Sequence, residues 1–196
     1  MASATAAAEG GRMTLAEHLR ELRTRVFKGV VAVVLATVFS WFFYDFLLNL
    51  LFEPYRNGVE NLSGRELDEK LIQGTIAGPF ILQLKICGLA GLVLSSPVWL
   101  YQLWAFIMPG LHRNERKWTL IFSAVAGPLF MAGVALGYAV LPKGISMLLS
   151  FTGPGVGNYI DVSSYLSFTL RMLIAFGVAF EIPLFVVLLN LAGVIT

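Results

Sequence analysis

Three charged side chains interrupt long apolar segments of the sequence. Glu181 lies in Phe-Glu-Ile-Pro within the apolar run 162–194, Arg171 lies ten residues before it, and Lys85 lies within the run 75–108. A charge in such a segment is costly and is usually retained for a function or a partner. Arg171 would be ~15 Å from Glu181 along a helix and on another face, so we expect no direct pairing. We predict a functional role for Glu181.

The other two charges have simpler explanations. Lys85 is predicted to extend its ammonium group towards the outer surface along its own alkyl chain. Arg171 either faces a cavity or reaches towards Asp161, and the residues do not decide between these positions.

Two further glutamates occur in polar segments, beside basic residues. Glu21 precedes Arg25 by four residues on a predicted helix, so an ion pair between them is the simplest role. Glu115 lies beside Arg116 and Lys117, and by itself is a solvated loop charge. A carboxylate can also accept two parallel hydrogen bonds from a guanidinium group. From the residues alone, both interpretations stay open.

The residues that support enzyme chemistry are few. The two histidines, His18 and His112, fall in polar segments outside the apolar runs, no His-Glu-x-x-His motif occurs, and Cys87 is the only cysteine. Intramembrane hydrolysis needs a Ser-His pair, paired aspartates or a zinc-binding cluster. We therefore expect no enzymatic activity, no metal and no cofactor. A net charge of +2 also gives no indication of nucleic-acid binding.

The elements that carry these residues are membrane helices. Hydrophobic residues make up 57% of the chain and charged residues 13%, against about 25% charged residues in soluble domains. Four apolar runs, about 26–52, 75–108, 118–141 and 162–194, are each long enough to cross a bilayer. Only helices satisfy the backbone polar groups of such runs in lipid. The sequence predicts an all-α, polytopic transmembrane bundle with four spans.

The domain organisation and orientation follow from composition and charge. Residues 1–13 are small and polar and predict a disordered tail, whereas residues 14–196 predict a single membrane domain. Basic residues are concentrated before the first run and after the second, and acidic residues outnumber them in the remaining connections. By the positive-inside rule, the N-terminus is cytosolic.

Several motifs resemble the TatC family, the core subunit of the twin-arginine protein translocase. The segment 95–118, SSPVWLYQLWAFIMPGLHRNERKW, resembles the first cytosolic loop of that family. HLRELRTR at 18–25 resembles its N-terminal segment, and YLSF, AFG and FEIP in the last run resemble its fourth helix. The motifs occur in the family's order and together cover about residues 14–196.

The resemblance implies roles for individual residues. In that family, the acidic residues matched by Glu21 and Glu115 contribute to recognising the paired arginines of a signal peptide. Arg23, Phe106 and Pro109 are implied as further residues of this signal-peptide site. The family therefore implies a receptor on the cytosolic face of the bacterial cytoplasmic membrane, which binds folded precursor proteins for export driven by the proton-motive force.

The resemblance also implies partners. The glutamate matched by Glu181 lies where the transmembrane helix of a partner subunit, TatA or TatB, docks, and an oligomer is expected. Pro54 matches a proline of the family's first extracytosolic loop, and Lys85 and Arg171 receive no functional role. Because the family has six spans, we expect that the last two helices are missing from this chain.

One alternative function remains open. An ion-coupled transporter of small solutes could use Glu181, Arg171 and Lys85 as coupling charges. Such transporters often contain paired repeats with broken helices, and we find no convincing internal repeat. A transporter should work without partner subunits, whereas a translocase core should need them.

Overall fold

Six helices and two short strands make up the residues that the computed structural model describes, which are 15–60, 70–72, 74–107, 115–152 and 159–191. The side chains of residues 15, 70, 115–119 and 191 are outside this description. The elements are α1 (Leu15–Trp41), α2 (Tyr44–Glu60), β1 (Lys70–Ile72), α3 (Gly78–Leu94), α4 (Ser96–Ile107), α5 (Glu115–Ser150), β2 (Tyr159–Asp161) and α6 (Val162–Leu191). The all-α fold class is confirmed, and the predicted tail 1–13 lies outside the described residues.

The first predicted span, 26–52, is not one helix. The chain turns at Phe42 and Phe43, whose N–H groups donate to the carbonyls three residues earlier, at 3.2 and 3.0 Å. The axis of α2 lies at 91° to that of α1. The apolar run continues across the turn because α2 is amphipathic, with Leu51 and Tyr55 buried and its polar side chains on the other face. Hydropathy alone therefore cannot detect the turn.

The second predicted span, 75–108, is also broken. The helices α3 and α4 meet at an angle of 57° around Ser95. Pro97 has no N–H to continue the α3 ladder, and the Ser95 hydroxyl donates to the Gly91 carbonyl at 2.7 Å. The Trp99 indole N–H then donates to the Leu92 carbonyl across the break, at 3.0 Å. A defined bend results.

The third and fourth predicted spans each correspond to one helix. In the part of the chain that the structure describes, α5 and α6 are each long and apolar enough to cross a membrane. The pair α1–α2 and the pair α3–α4 qualify only if each bent pair counts as one span. The helix α5 continues to Ser150, beyond the predicted end at residue 141, because Pro142 removes only one hydrogen bond from a packed helix.

Pro54 has a structural role that explains the position of a distant tyrosine, Tyr138. Proline cannot donate to the carbonyl four residues earlier, which is that of Leu50. The Tyr138 hydroxyl of α5 donates to this carbonyl at 2.9 Å, and the Tyr165 hydroxyl of α6 donates to the neighbouring Leu51 carbonyl at 2.6 Å. The hydroxyl groups of Tyr138 and Tyr165 thus fasten α2 to α5 and α6.

Glycines bring the long helices into backbone contact. A Cβ atom on Gly133 of α5 would lie 2.5 Å from the Phe176 carbonyl oxygen of α6, and one on Gly137 would lie 3.0 Å from Phe176 Cβ. This is the close contact that the small-residue pair in the sequence permits. Gly74 and Gly78 have the same spacing in the sequence but behave differently: Gly78 is buried, whereas a Cβ on Gly74 would meet no atom within 4 Å.

Two apolar clusters fill the bundle. The first, near α2, contains Leu51, Ile86, Leu141 and Leu166 among its buried residues. The second joins α4, α5 and α6 and consists of these buried residues: Leu100, Trp104, Phe122, Ala126, Phe130 and Leu188. We call this second group the Trp104 cluster.

The two strands connect distant parts of the chain. β1 and β2 pair in parallel, with Lys70 opposite Tyr159 and Ile72 opposite Asp161. Asp161 also caps α6, because its Oδ2 accepts hydrogen bonds from the Ser164 N–H at 2.8 Å and hydroxyl at 3.0 Å. These bonds to the charged form lower the pKa of the Asp161 carboxyl group.

We predict opposite effects for two Gly→Ala substitutions in α5. Gly133→Ala should lower the free energy of unfolding by roughly 1–3 kcal/mol, because its methyl group meets backbone that cannot move aside. Gly144→Ala is the matched control: open space surrounds its Cβ position, so better helix propensity should stabilise by up to about 1 kcal/mol. Thermal unfolding in detergent measures both. Equal effects at the two sites would contradict the close crossing.

A double-mutant cycle tests the interaction between Pro54 and Tyr138. Tyr138→Phe should cost about 0.5–1.5 kcal/mol, because it removes the hydrogen bond that replaces the missing donor to the Leu50 carbonyl. The same substitution should cost less in a Pro54→Ala background, since the new N–H can bond to that carbonyl. Tyr159→Phe, at an exposed position, serves as the control in unfolding measurements. An identical cost in both backgrounds would rule out this explanation.

Candidate functional site

The first turns of α1 carry charged side chains around an open cavity of about 570 Å³. Its lining residues are Glu17, Arg20, Glu21, Thr24, Arg25 and Lys28. Two carboxylates and three basic groups thus face one cavity. Such a lining suits a charged, hydrogen-bonding ligand better than an apolar one.

Glu21 forms the ion pair with Arg25 that the spacing predicts. Arg25 donates through Nε, at 2.9 Å, and through Nη2, both to Glu21 Oε1. The second oxygen, Oε2, is shielded from solvent and has no hydrogen-bond partner among the described residues. One side of the carboxylate is therefore satisfied, and the other retains its acceptor capacity.

An aromatic contact joins this cavity to α4. The rings of His18 and Phe106 stack with centroids 4.4 Å apart and an interplanar angle of 18°. Below this stack an apolar groove of about 380 Å³ runs between α1 and α4, and Arg25 lines both the groove and the charged cavity. The two cavities therefore adjoin at Arg25, and we call the charged cavity the charged mouth of the apolar groove.

The structure describes the remaining predicted signal-peptide residues unequally. Arg23 is exposed on α1, beside the charged cavity. Glu115 is the first residue of α5, but its side chain lies outside the description, and Pro109 lies outside the described residues. The contact of Phe106 with His18 joins two predicted segments, whereas the predicted proximity of Glu21 and Glu115 stays a prediction.

Glu181 is buried, with 4% of its surface exposed. The preceding turn of α6 contacts Phe130, through Gly177, and the following turns contribute Leu188 to the Trp104 cluster. Residues four and seven apart share a helix face, so Glu181 faces that cluster too. Neither carboxylate oxygen has a hydrogen-bond partner among the described residues. An unpaired buried carboxylate is costly, which agrees with a functional reason for its presence.

Lys85 is held between two helices. Its Nζ donates to the Ser163 hydroxyl at 2.7 Å and to the Ser167 hydroxyl at 3.0 Å, both on the first turns of α6. The ammonium thus extends towards the start of α6 and ends on protein hydroxyls, while the predicted direction towards the outer surface stays a prediction. Arg171 is exposed.

These positions do not favour the small-solute transporter. Ser167, which binds Lys85, precedes Glu181 by fourteen residues on α6, a separation of about 21 Å. Coupling charges in a transporter need a shared site, and the described side chains of Lys85, Arg171 and Glu181 do not form one. No group of three His, Cys, Asp or Glu side chains is arranged for a metal ion within the residues described.

Two contributors to these sites, His18 and Trp104, have no clear signal in the sequence, and a third, Tyr138, has only an indirect one. The sequence shows His18 only as a histidine in a polar segment. Its stacking on Phe106 depends on how α1 crosses α4. From the sequence, Trp104 resembles the aromatic residues found at the boundary between membrane and water. In the structure it is fully buried, and its indole N–H has no hydrogen-bond partner among the described residues. For Tyr138 the signal is indirect. Pro54 implies that one carbonyl of α2 lacks its helical N–H donor, but no sequence pattern indicates that Tyr138 replaces that donor.

The fold and these sites define a polytopic helical membrane protein with a charged mouth beside an apolar groove. Residues 17–196 match the family model described as TatC, Sec-independent protein translocase protein. The chain therefore belongs to the TatC family.

Relatives from several bacteria support this membership. The chain is 42% identical over 199 residues to the Sec-independent protein translocase protein TatC of Frankia casuarinae, covering 98% of this chain and 54% of that protein. It is 35% identical to the TatC protein of Corynebacterium kroppenstedtii, covering 94% of this chain and 50% of that protein. The chain thus spans about half the length of these relatives.

Solved structures share the fold. A crystal structure of the twin-arginine translocase receptor TatC superposes with a TM-score of 0.79 at 33% identity, covering 91% of this chain and 77% of the other. A second crystal structure of that receptor, in DDM, gives a TM-score of 0.75 at 32% identity. The bent helices α1–α2 and α3–α4 therefore belong to a fold that has been observed by experiment.

Proposed function

We propose that this chain is the receptor and core subunit of a twin-arginine translocase. It binds the twin-arginine signal peptides of folded precursor proteins on the cytosolic face of the bacterial cytoplasmic membrane. It then recruits single-span subunits of the TatA and TatB type for export driven by the proton-motive force. Residues 14–196 act as a single membrane domain, within an oligomer.

The observation that carries this proposal is the charged mouth above the α1–α4 groove. A signal peptide has a basic segment followed by an apolar segment. The mouth offers Glu21 to the basic segment, and the groove presents apolar side chains directly beside it. The order of polar and apolar surface along α1 therefore matches the order of segments in the ligand.

The Glu21–Arg25 pair is compatible with recognition of arginine. Arg25 occupies Oε1, so an incoming guanidinium can bond to Oε2 once the carboxylate turns outwards, or can replace Arg25. Only arginine offers two parallel N–H groups to one carboxylate, and lysine does not. With Glu115 as the second carboxylate, adjacent arginines are read in preference to adjacent lysines.

The surface around Glu181 supports docking of a partner helix. Val178, Ile182 and Phe185 are exposed on α6, with 52%, 57% and 37% of their surfaces accessible. Their spacing of three to four residues makes one continuous apolar stripe beside the buried carboxylate. A single-span helix laid on this stripe can bring a polar side chain to Glu181, which satisfies the unpaired oxygens.

Photocrosslinking in membranes tests the receptor role. With a photoreactive residue at Gln102, which lines the groove, an Arg-Arg signal peptide should crosslink about tenfold more than its Lys-Lys counterpart, as expected for a lost charged hydrogen bond. Glu21→Gln and Glu115→Gln should each reduce the Arg-Arg signal by a similar factor. Asp45→Asn, which removes an exposed charge on α2 away from the groove, should leave it unchanged. Equal crosslinking of both peptides would sink the receptor assignment.

Partner capture tests the role of Glu181. Glu181→Ala should lower co-purification of TatA- or TatB-type subunits about tenfold, because a buried polar contact between helices is lost. The same substitution should keep or raise the unfolding temperature of the isolated chain, since it removes an unpaired buried carboxylate.

The control for this experiment is Arg171→Ala, which removes an exposed charge from the same helix. It should change neither partner capture nor the unfolding temperature by much. Full capture by a chain carrying Glu181→Ala would refute the docking role. A joint loss of capture and stability would instead assign Glu181 a structural role.

A further inference from the structure

A second apolar cavity, separate from the α1–α4 groove, opens on the side of the bundle beneath α2. It has a volume of about 340 Å³ and lies between α3 and α5, with Leu173 of α6 among its lining residues. We call it the lateral crevice. Leu94 on its α3 side and Met131 on its α5 side are 53% and 41% exposed, so the crevice opens sideways, towards the surroundings of the helices.

The helix α2 closes the crevice at one end. Leu47, Leu50 and Leu51 point into it from above. Because α2 turns by 91° from the axis of α1, it runs across the bundle at the end opposite the basic N-terminus. Met131 and Tyr138 both line the crevice and are seven residues apart on α5, which gives the crevice a depth of about 10 Å below α2.

A polar cleft lies on the other side of α2. It has a volume of about 470 Å³, and its lining residues are Phe46, Asn49, Leu50, Glu53, Arg56, Asn57 and Glu60. Leu50 lines both this cleft and the lateral crevice. Tyr138 also connects them, because it lines the crevice while its hydroxyl lies 3.4 Å from Glu53 Oε2. The lateral crevice and the polar cleft therefore adjoin at α2, with an apolar surface on one side of that helix and a charged surface on the other.

We propose that the lateral crevice and the polar cleft together bind one aminophospholipid of the outer leaflet. An acyl chain occupies the crevice, and the head group lies over Leu50 in the cleft. Arg56 binds the phosphate, for which a guanidinium group is well suited. Glu53, three residues earlier on α2, binds the ammonium group. The cleft holds one arginine, Arg56, and two carboxylates, Glu53 and Glu60, so it has a partner for each charge of a zwitterionic head group, whereas the excess negative charge would repel an anionic lipid.

A partner helix fits this surface less well than a lipid does. The crevice ends at α2 and extends about 10 Å below it, which is about two turns of a helix, so a helix spanning about 30 Å of bilayer would leave most of its length outside the crevice. A packed helix needs a groove along most of its length.

Native mass spectrometry of the detergent-solubilised chain tests the proposal, with palmitoyl-oleoyl phosphatidylethanolamine and phosphatidylglycerol as competing probes. Phosphatidylethanolamine should bind with one-to-one stoichiometry and be retained about tenfold better, as expected for an added charged hydrogen bond. Ala135→Phe should reduce its binding because the ring fills the mouth of the crevice. Arg56→Gln and Glu53→Gln should each abolish the preference between the two lipids.

Matched controls separate this site from general lipid contact. Ala124→Phe places the same ring at another exposed position of α5, three turns away, and Arg171→Gln removes an exposed arginine outside the cleft. Both should bind phosphatidylethanolamine as the unchanged chain does. Equal retention of the two lipids, or equal effects of Ala135→Phe and Ala124→Phe, would overturn the proposal.

A second measurement does not depend on the variants folding. A phosphatidylethanolamine with a diazirine on its acyl chain is incorporated with the unchanged chain into nanodiscs and photolysed. The label should concentrate on peptides that contain Leu94 and residues 131–135. Even labelling of all exposed helices would identify ordinary annular lipid and overturn the proposal. Absence of label from these peptides, with protection by a partner subunit in the assembled translocase, would assign the crevice to that partner instead.

Discussion

The close crossing of α5 and α6 is the constraint on which most of the molecule depends. Gly133 lets the two backbones approach so closely that a single methyl group would meet a carbonyl oxygen. With this spacing, α6 can present Tyr165 to α2 and two serines to Lys85, while α5 presents Tyr138 to the same α2 backbone. In lipid, apolar side chains gain little by leaving the solvent, so backbone proximity and polar contacts of this kind determine which helices adjoin.

The sequence correctly predicts which segments are helical, but it does not predict where those helices bend. The four apolar runs correspond to helices because any membrane-crossing segment must satisfy its own backbone. The turn at Phe42 and Phe43 was invisible because its residues are as apolar as their neighbours. The bend at Ser95 had a local signal in the Ser-Pro dipeptide that follows, but hydropathy averages over it. Bends are set by single hydrogen bonds, which a run of hydrophobic residues does not encode.

The candidate site was predictable where its contacts are local. The Glu21–Arg25 pair follows from a spacing of four residues on one helix. The stacking of His18 on Phe106 joins residues far apart in sequence, and it depends on the crossing of α1 and α4. The importance of Glu181 could be inferred from its charge in an apolar segment, whereas its burial against the Trp104 cluster required the tertiary packing. Residue type indicates chemistry, and only the fold brings the partners together.

The parallel pairing of β1 and β2 has a consequence for the order of assembly. Lys70 and Tyr159 are about ninety residues apart in the chain, and contacts of such high sequence separation form late because a long loop must close first. During synthesis, β1 must wait until α3, α4 and α5 have been inserted and β2 has emerged on the same side. The β1–β2 pair therefore forms only after α5 has been inserted. It then connects the first half of the bundle to the second.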